Sequence, residues 1–145
     1  MKRLTAHPPV VYPRVRGDDR WGSGYFGAPR GDHKHNGVDF AVDKGSAVCA
    51  LRAGRVSKIG FPYNPADKHK GHLRYVEITV GELRFRYFYI HPIVEKNQTV
   101  DVDQPIGIAQ GLRTIYPGIT DHVHLEIMNI ERTKYFDPSQ FVEIT

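Results

Sequence analysis

The sequence predicts an all-β domain with mainly antiparallel strands, folded as a sandwich or a barrel. Three observations favour this class. Strand-like segments are short and follow one another along most of the chain, and residues that favour turns separate them. No segment shows a sustained repeat of apolar residues at the helical period of about 3.6 residues. Short strands divided by frequent turns are typical of sandwiches and barrels.

The predicted strands alternate with turn and loop segments. Asn36-Gly37 is a turn dipeptide that precedes the first strand, and Gly81-Glu82 predicts a hairpin between two later ones. A polar loop with prolines and glycine occupies residues 61–73. The predicted strands are Val38–Val42, Ala47–Leu51, Gly54–Ile59, Tyr75–Val80, Leu83–Ile90, Ile106–Ala109 and Val123–Met128.

Length and composition predict one folded domain. The chain has 145 residues, and domains usually have about 100–150. A content of 40% hydrophobic and 25% charged residues is ordinary for a globular protein and allows a real core. Residues 1–20 are rich in proline and lack a strand pattern, so we expect an extended N-terminal arm there. Residues 21–145 then form the single domain.

Several classes of protein do not fit this sequence. No apolar run approaches the roughly 20 residues that cross a bilayer, so we expect no membrane insertion. Met1-Lys2-Arg3 resembles the basic start of a signal peptide, but His7-Pro8-Pro9 stands where an apolar stretch is needed. We therefore expect no export signal. Cys49 is the single cysteine, which excludes an internal disulfide, and its apolar surroundings predict a small buried residue.

The positive charge of the chain allows a polyanionic partner. The net charge is +4 and the pI is about 9.2, but the charges are scattered, as on an ordinary soluble surface. Arginines alternate with aromatic residues over Arg84–Tyr89, a composition that can stack nucleic-acid bases. On a strand, however, Arg84 and Arg86 share one face and the aromatic residues between them the other. A core strand with a basic outer face explains the run better, so we expect no nucleic-acid partner.

Four histidines and one aspartate are candidates for chemistry. His122 and His124 lie two apart in a predicted strand, so both side chains project from one face. His35 and Asp39 flank the Asn36-Gly37 turn, which can direct both side chains to one point. His91 precedes a proline at the end of a predicted strand. Taken singly, the pair of histidines is equally well explained as a polar strand face. His35 and Asp39 alone are a weak signal that also fits a surface turn, and His91 alone is better explained as an exposed strand end.

Together, these residues fit a catalytic zinc site better than a structural one. Histidine nitrogen and carboxylate oxygen are normal zinc ligands, and two histidines with one carboxylate leave a fourth position for water. Structural zinc sites fill all four positions, usually with cysteines, and this chain has none to spare. Two further histidines remain for proton transfer and charge stabilisation.

The order of these motifs resembles that of the lysostaphin/LytM-type zinc metallopeptidases, a family of cell-wall endopeptidases with the duplicated hybrid motif fold. The similarity covers about residues 26–141. The motifs that carry it are Phe26-Gly27 with Arg30, His35–Phe40, Gly45–Ala50, Gly54-Arg55-Val56, Tyr89-Ile90-His91, Pro105-Ile106-Gly107, His122–Glu126 and Asp137-Pro138.

The resemblance implies specific roles. His35, Asp39 and His124 are the expected ligands of one Zn²⁺ per chain, and His91 and His122 the expected catalytic residues. It further implies a compact β fold with a groove over the metal, and hydrolysis of peptide cross-links in peptidoglycan. A D-Ala–diaminopimelate cross-link and an oligoglycine bridge both stay open as the target, and we expect the former. We also expect a monomer. A holin, a phage particle or a secretion system is expected to deliver the chain to the periplasm or cell wall. The alternative is a non-catalytic zinc-containing module that binds or regulates cell wall.

The chain departs from the family pattern in its loops. The segments 96–103 and 113–121 lack the glycine-rich turns expected there, and residues 61–73 form an insertion that contains His69 and His72. We expect all three loops to form walls of the groove, where they affect substrate choice rather than metal chemistry. His69 and His72 are expected on the surface, as are His7 and His33.

Overall fold

The computed structural model describes residues 14–17, 19, 22–30 and 33–141. Within these ranges the chain is nearly all antiparallel β, which confirms the predicted class. The regular helical structure there is one 3-10 turn, Pro138–Gln140, which Asp137 caps by accepting a hydrogen bond from the backbone N–H of Ser139. No helix of the described residues is long and apolar enough to span a bilayer.

Thirteen short strands make up the described fold. They are β1 Arg14–Val15, β2 Pro29–Arg30, β3 His33–Lys34, β4 Val38–Ala41, β5 Ala47–Cys49, β6 Gly54–Gly60, β7 Tyr75–Val80, β8 Leu83–Phe88, β9 Ile90–Pro92, β10 Thr99–Val100, β11 Pro105–Ala109, β12 His122–Asn129 and β13 Tyr135–Phe136. Most of the predicted strands are confirmed with ends that differ by one or two residues, and the loop over residues 61–73 is confirmed.

The strands form one large sheet, one small sheet and a two-stranded ribbon. The large sheet has the order β1-β4-β12-β8-β7-β6-β10, with β13 also paired to β12. The small sheet has the order β5-β11-β9, and β2 pairs with β3. A single apolar cluster joins the two sheets, with buried residues from both, so the core lies between them. Cys49 is among the buried residues, as predicted.

Strand alternation decides which face of the large sheet carries chemistry. In β12, Val123 and Leu125 are fully buried in the core. His122 and His124 alternate with them and therefore project from the opposite face, as predicted. The same alternation in β4 places Phe40 in the core and Asp39 on the face of the two histidines.

The arginine-aromatic run over β8 is part of this sheet. Phe85 and Tyr87 are buried in the core, while Arg84 and Arg86 lie on the other face. Both arginines bind the fully buried carboxylate of Glu77 on β7, at 2.8 and 2.6 Å. The arginines are thus paired within the fold, in agreement with the core-strand interpretation.

One strand prediction is wrong. Leu83–Ile90 was expected as a continuous strand, but the chain breaks at Tyr89 between β8 and β9. Tyr89 has φ 72°, in the left-handed region that non-glycine residues rarely adopt. The break moves the chain from the large sheet into the small one. Strained backbone of this kind persists where the surroundings hold it, and it is common at functional sites.

The described end of the predicted N-terminal arm belongs to the large sheet. Strand β1 pairs with β4, with Arg14 opposite Ala41 and Val15 opposite Phe40. The side chains of Val15 and Arg16 are buried. The domain boundary at residue 20 stays a prediction, but residues before it pack against the strand that carries Asp39.

A buried hydrogen bond between the sheets generates a stability prediction. The backbone N–H of Leu51, just after β5, donates to the Tyr87 hydroxyl on β8 at 3.1 Å, and both residues are fully buried. Tyr87→Phe leaves that N–H without its acceptor and should lower the free energy of unfolding by about 1–3 kcal/mol. Urea unfolding measures the change. Tyr135→Phe, at a position 38% exposed, is the control and should stay within about 0.5 kcal/mol. Equal midpoints for both variants would contradict the assigned bond.

Candidate metal centre

Two neighbouring strands bring two of the candidate ligands together. β4 and β12 are antiparallel, and their register places Asp39 directly opposite His124. Side chains of directly opposite residues on one face lie within contact distance. The Nδ1 atom of His124 is 2.7 Å from Oδ1 of Asp39.

The Asn36-Gly37 turn brings in the third candidate ligand. Its glycine lies against β12, where a Cβ atom would be 2.2 Å from the carbonyl oxygen of Leu125 and 3.0 Å from Cε1 of His124. Only glycine allows so close an approach. The backbone N–H of His35 donates to the carbonyl of Ala28 at 2.8 Å, which holds the start of the turn. The turn therefore directs His35 towards His124 and Asp39.

The three predicted metal ligands meet at one point. Nε2 of His35 is 3.0 Å from Nδ1 of His124 and 3.2 Å from Oδ1 of Asp39. The candidate ligand atoms of all three residues lie within 4.8 Å of one another. His35 and Asp39 are buried, and His124 is largely so.

The outer ring nitrogens show which histidine atoms can bind a cation. Nδ1 of His35 lies 3.0 Å from the carbonyl oxygen of Tyr25, and Nε2 of His124 lies 2.9 Å from Oε1 of Glu126. Both partners are acceptors, so in the neutral rings these outer nitrogens carry the protons. The lone pairs of the two inner nitrogens then converge on the Asp39 carboxylate. Three converging acceptors require a cation or a proton between them.

The electrostatics of the cluster favour a positive charge. Burial alone would raise the pKa of Asp39, but hydrogen bonds with His124 and His35 outweigh it and hold that pKa well below its usual range. Burial would lower the pKa of His124, but Asp39 and Glu126 raise it to about 9. Two imidazoles and a carboxylate form a donor set that fits zinc, with outer partners that orient each histidine.

His122 lies next to this group but differs from it. Its Nδ1 is 2.7 Å from the carbonyl oxygen of Thr120, so the neutral ring has its lone pair on Nε2. Nε2 is 3.6 Å from Oδ2 of Asp39, beyond hydrogen-bond distance. Burial is the main cause that lowers the pKa of His122, which keeps the ring neutral near pH 7. In the structure His122 thus lies beside the three candidate ligands but outside their cluster.

The structure does not bring His91 to the site. His91 is exposed on β9, opposite Ile108 in the small sheet, and it is not among the residues that line the cavity beside the ligands. Tyr89 lines that cavity instead, with its ring 5.6 Å from the ring of His122 and nearly perpendicular to it. The cause is the left-handed backbone of Tyr89, which breaks the strand on which residues 89 and 91 would share a face. In the sequence, Tyr89 has the pattern of an ordinary strand aromatic.

The cavity has a volume of about 440 Å³ and an aromatic wall. Tyr63 comes from the loop over residues 61–73, and Tyr116 from the loop before β12. Their hydroxyl oxygens are 3.2 Å apart, so the two loops meet beside the candidate ligands.

These two loops are two of the three predicted groove walls. Of the described residues, none between 96 and 103 lines the cavity. The described residues that line it are Arg16, His35, Asn36, Asp39, Tyr63, Tyr89, Leu112, Tyr116, Ile119, His122, His124 and Glu126.

Two further histidines, His69 and His72, do not line the cavity. His69 and His72 are exposed, as predicted. His33 is part of β3, next to the turn, and His7 lies outside the described residues.

An antiparallel β fold in which two histidines and one aspartate converge on one point defines a class of metallopeptidase-like proteins. The sequence profile of Peptidase family M23 matches residues 33–138, most of the chain, and the chain belongs to this family. The solved catalytic domain of the antimicrobial peptidase lysostaphin from Staphylococcus simulans has the same fold. Its TM-score is 0.60 at 23% identity, over 83% of this chain and 89% of that one.

Two vertebrate proteins are similar in sequence. Leukocyte cell-derived chemotaxin-2 of Bos taurus is 33% identical over 112 residues, which cover 77% of this chain and 72% of that protein. Myeloid protein 1 of Gallus gallus is 33% identical over 133 residues, which cover 89% of this chain. The chain spans only 38% of the length of Myeloid protein 1.

The ligand assignment predicts a specific loss of metal. His124→Ala removes one of three donors and should lower zinc affinity by more than about 100-fold, because changes to outer partners alone cost 10–100-fold. Competition with a chromophoric chelator and elemental analysis measure the affinity and the content. His69→Ala removes an exposed histidine and should keep one equivalent of zinc. A His124→Ala protein that retains one equivalent at wild-type affinity would refute the assignment.

Proposed function

We propose that this chain is a zinc-dependent endopeptidase that hydrolyses peptide cross-links of bacterial cell wall. The observation that carries the proposal is the convergence of His35, Asp39 and His124 beside a neutral histidine, His122, in one cavity. When bound, Zn²⁺ supplies Lewis acidity towards water and towards the carbonyl of the scissile peptide. The remaining chemistry falls to the side chains around it.

His122 is the proposed general base. Its Nδ1–H donates to the Thr120 carbonyl, which holds the ring orientation and leaves the Nε2 lone pair available. Because burial lowers the pKa of His122, that lone pair is free near neutral pH. Nε2 takes a proton from the attacking water and returns it to the amine that leaves.

Tyr89 is the proposed donor to the developing negative charge. Burial, and next the neighbouring Tyr63, raise the pKa of Tyr89 well above its usual value, so its hydroxyl keeps its proton. A neutral donor at the position where charge develops stabilises the transition state, and loss of one such donor costs about 3–4 kcal/mol elsewhere. In this proposal Tyr89 has the catalytic role that the family resemblance implied for His91.

Membership of Peptidase family M23 and the lysostaphin-like fold support peptidoglycan as the substrate. The D-Ala–diaminopimelate cross-link is the first bond to test. We further propose that the protein acts as a monomer in the periplasm or cell wall, delivered by a holin, a phage particle or a secretion system.

A second candidate function is a non-catalytic zinc-containing module that binds cell wall. The position of His91 favours it, because one histidine instead of two lies beside the candidate ligands. The two candidates differ in one assay. The zinc-loaded protein is incubated with purified sacculi and defined muropeptides, and products are identified by mass spectrometry. New amino termini support the peptidase. Cosedimentation with sacculi without any new product supports the binding module.

The role of His122 predicts a separation of metal binding from hydrolysis. His122→Ala should retain one equivalent of zinc, because Nε2 of His122 lies outside the ligand set. It should lower kcat for muropeptide hydrolysis by about 10²–10⁴-fold, the usual contribution of a general base. Zinc analysis and product formation are measured on the same preparation. Hydrolysis at the wild-type rate would refute this role.

A paired comparison tests Tyr89 against His91. Tyr89→Phe removes only the hydroxyl and should lower kcat by about 10²–10³-fold with little change in KM. His91→Ala, at an exposed position outside the cavity, should leave both constants unchanged. The opposite result, with activity lost in His91→Ala and kept in Tyr89→Phe, would restore the assignment made from the sequence.

A further inference from the structure

Arg16 is a fully buried charged residue next to the metal centre that no step above uses. Its side chain is 2% exposed, and arginine is rarely so buried unless it is paired. It follows β1, in the segment expected from the sequence as an irregular arm. It also lies before residue 33, where the match to the family profile begins.

The guanidinium of Arg16 binds the metal ligand Asp39. Its Nε donates to Oδ2 of Asp39 at 3.1 Å, while Oδ1 of the same carboxylate faces the two ligand histidines. The two carboxylate oxygens thus have different surroundings. One is held by the arginine, and the other is directed to the point where the donor atoms converge.

A second carboxylate connects Arg16 to the loop that orients His122. Nη1 of Arg16 donates to Oδ2 of Asp19 at 2.8 Å, and that oxygen accepts the backbone N–H of Thr120 at 3.2 Å. The carbonyl of Thr120 in turn accepts from Nδ1 of His122. One guanidinium therefore contacts a metal ligand directly and reaches the proposed base through two intermediate groups.

The backbone around Arg16 holds this arrangement in place. The N–H of Arg16 donates to the carbonyl of Asp39 at 2.6 Å, and the N–H of Asp39 donates to the carbonyl of Gly24 at 2.8 Å. Gly24 also donates to the carbonyl of Arg16 at 3.1 Å. A Cβ at position 24 would lie 2.7 Å from Cβ of Arg16, so glycine is required for the close approach. Backbone hydrogen bonds from both the N–H and the carbonyl of Arg16 thus fix the position of its side chain.

We propose that Arg16 is a positioning residue of the metal centre, which holds Oδ2 of Asp39 so that the carboxylate binds the cation through Oδ1 alone. This inference rests on the proposed zinc site but not on peptide hydrolysis. A planar guanidinium can hold Asp39 and Asp19 at once, because its N–H groups point in fixed and different directions. A lysine ammonium is a compact point charge and lacks this fixed arrangement of donors. The N-terminal segment thereby contributes a residue to a metal site whose candidate ligands all lie within residues 33–138, the part of the chain that matches the family profile.

The test uses metal ions alone. Arg16→Met keeps the apolar length and removes every donor, and Arg16→Lys keeps the charge. Zinc affinity is measured by chelator competition, and coordination by the visible spectrum of the Co²⁺-substituted protein, which absorbs more strongly when four-coordinate than when five-coordinate. Arg132→Met is the matched control, because Arg132 also pairs with a buried carboxylate, Glu77, but lies away from the cavity.

Both Arg16 variants should bind zinc about 10–100-fold more weakly, as expected when a partner of a metal ligand is lost. Their Co²⁺ spectra should weaken, because the released carboxylate can bind through both oxygens. Arg132→Met should change neither readout. If Arg16→Met does not fold, as judged by circular dichroism, the Arg16→Lys protein decides.

Two results would overturn the proposal. One is zinc affinity equal to or tighter than that of the unaltered protein, with an unchanged Co²⁺ spectrum. The other is weaker affinity with an unchanged spectrum, which would assign Arg16 to the stability of the fold. Because neither readout needs substrate, a protein that binds zinc but cleaves no muropeptide affects only the proposed function.

Discussion

The pairing of β4 with β12 is the constraint on which the rest of the structure depends. Val38 and Phe40 on one strand, with Val123 and Leu125 on the other, are all buried in the core. Because side chains alternate along a strand, a slip of one residue would turn these apolar groups to the outer face and bury the candidate ligands in the core. The register that packs the core is therefore the register that sets Asp39 opposite His124.

The outer face of the large sheet carries buried charges, and each has partners. Isolated buried charges are costly, so such groups are normally paired and hydrogen-bonded. Glu77 meets Arg84 and Arg86 there, and Arg132 from the turn after β12, in an arrangement that is satisfied within the protein. The cluster at Asp39 differs, because two imidazole lone pairs and a carboxylate oxygen face one another. The first arrangement is satisfied by its own side chains, while the second requires a cation or a proton between its three groups.

The break at Tyr89 links the architecture to the chemistry. The left-handed residue sends the chain from the large sheet to the small one and places a tyrosine beside His122. Its backbone N–H donates to the carbonyl of Arg74 at 2.7 Å, and the loop before β12 supplies Tyr116 to the same wall. The cavity is thus formed where the chain passes from the large sheet to the small one. The tyrosines of its wall pack against a second apolar cluster, formed by Leu73, Leu112 and Ile119 from the same loops.

The sequence by itself determined most of the strands and the shared face of His122 and His124, because both rest on local rules, and its resemblance to a known family implied the ligand set. Period-two alternation places His122 and His124 on one face, and the Asn36-Gly37 turn explains how His35 approaches Asp39. Only the tertiary structure showed that Tyr89 and not His91 lines the cavity, because a single backbone angle inside an apparently continuous strand separates the two. It also decided the place of Arg16, whose partner Asp39 is 23 residues away, since a proline-rich segment contains no local signal of what it packs against.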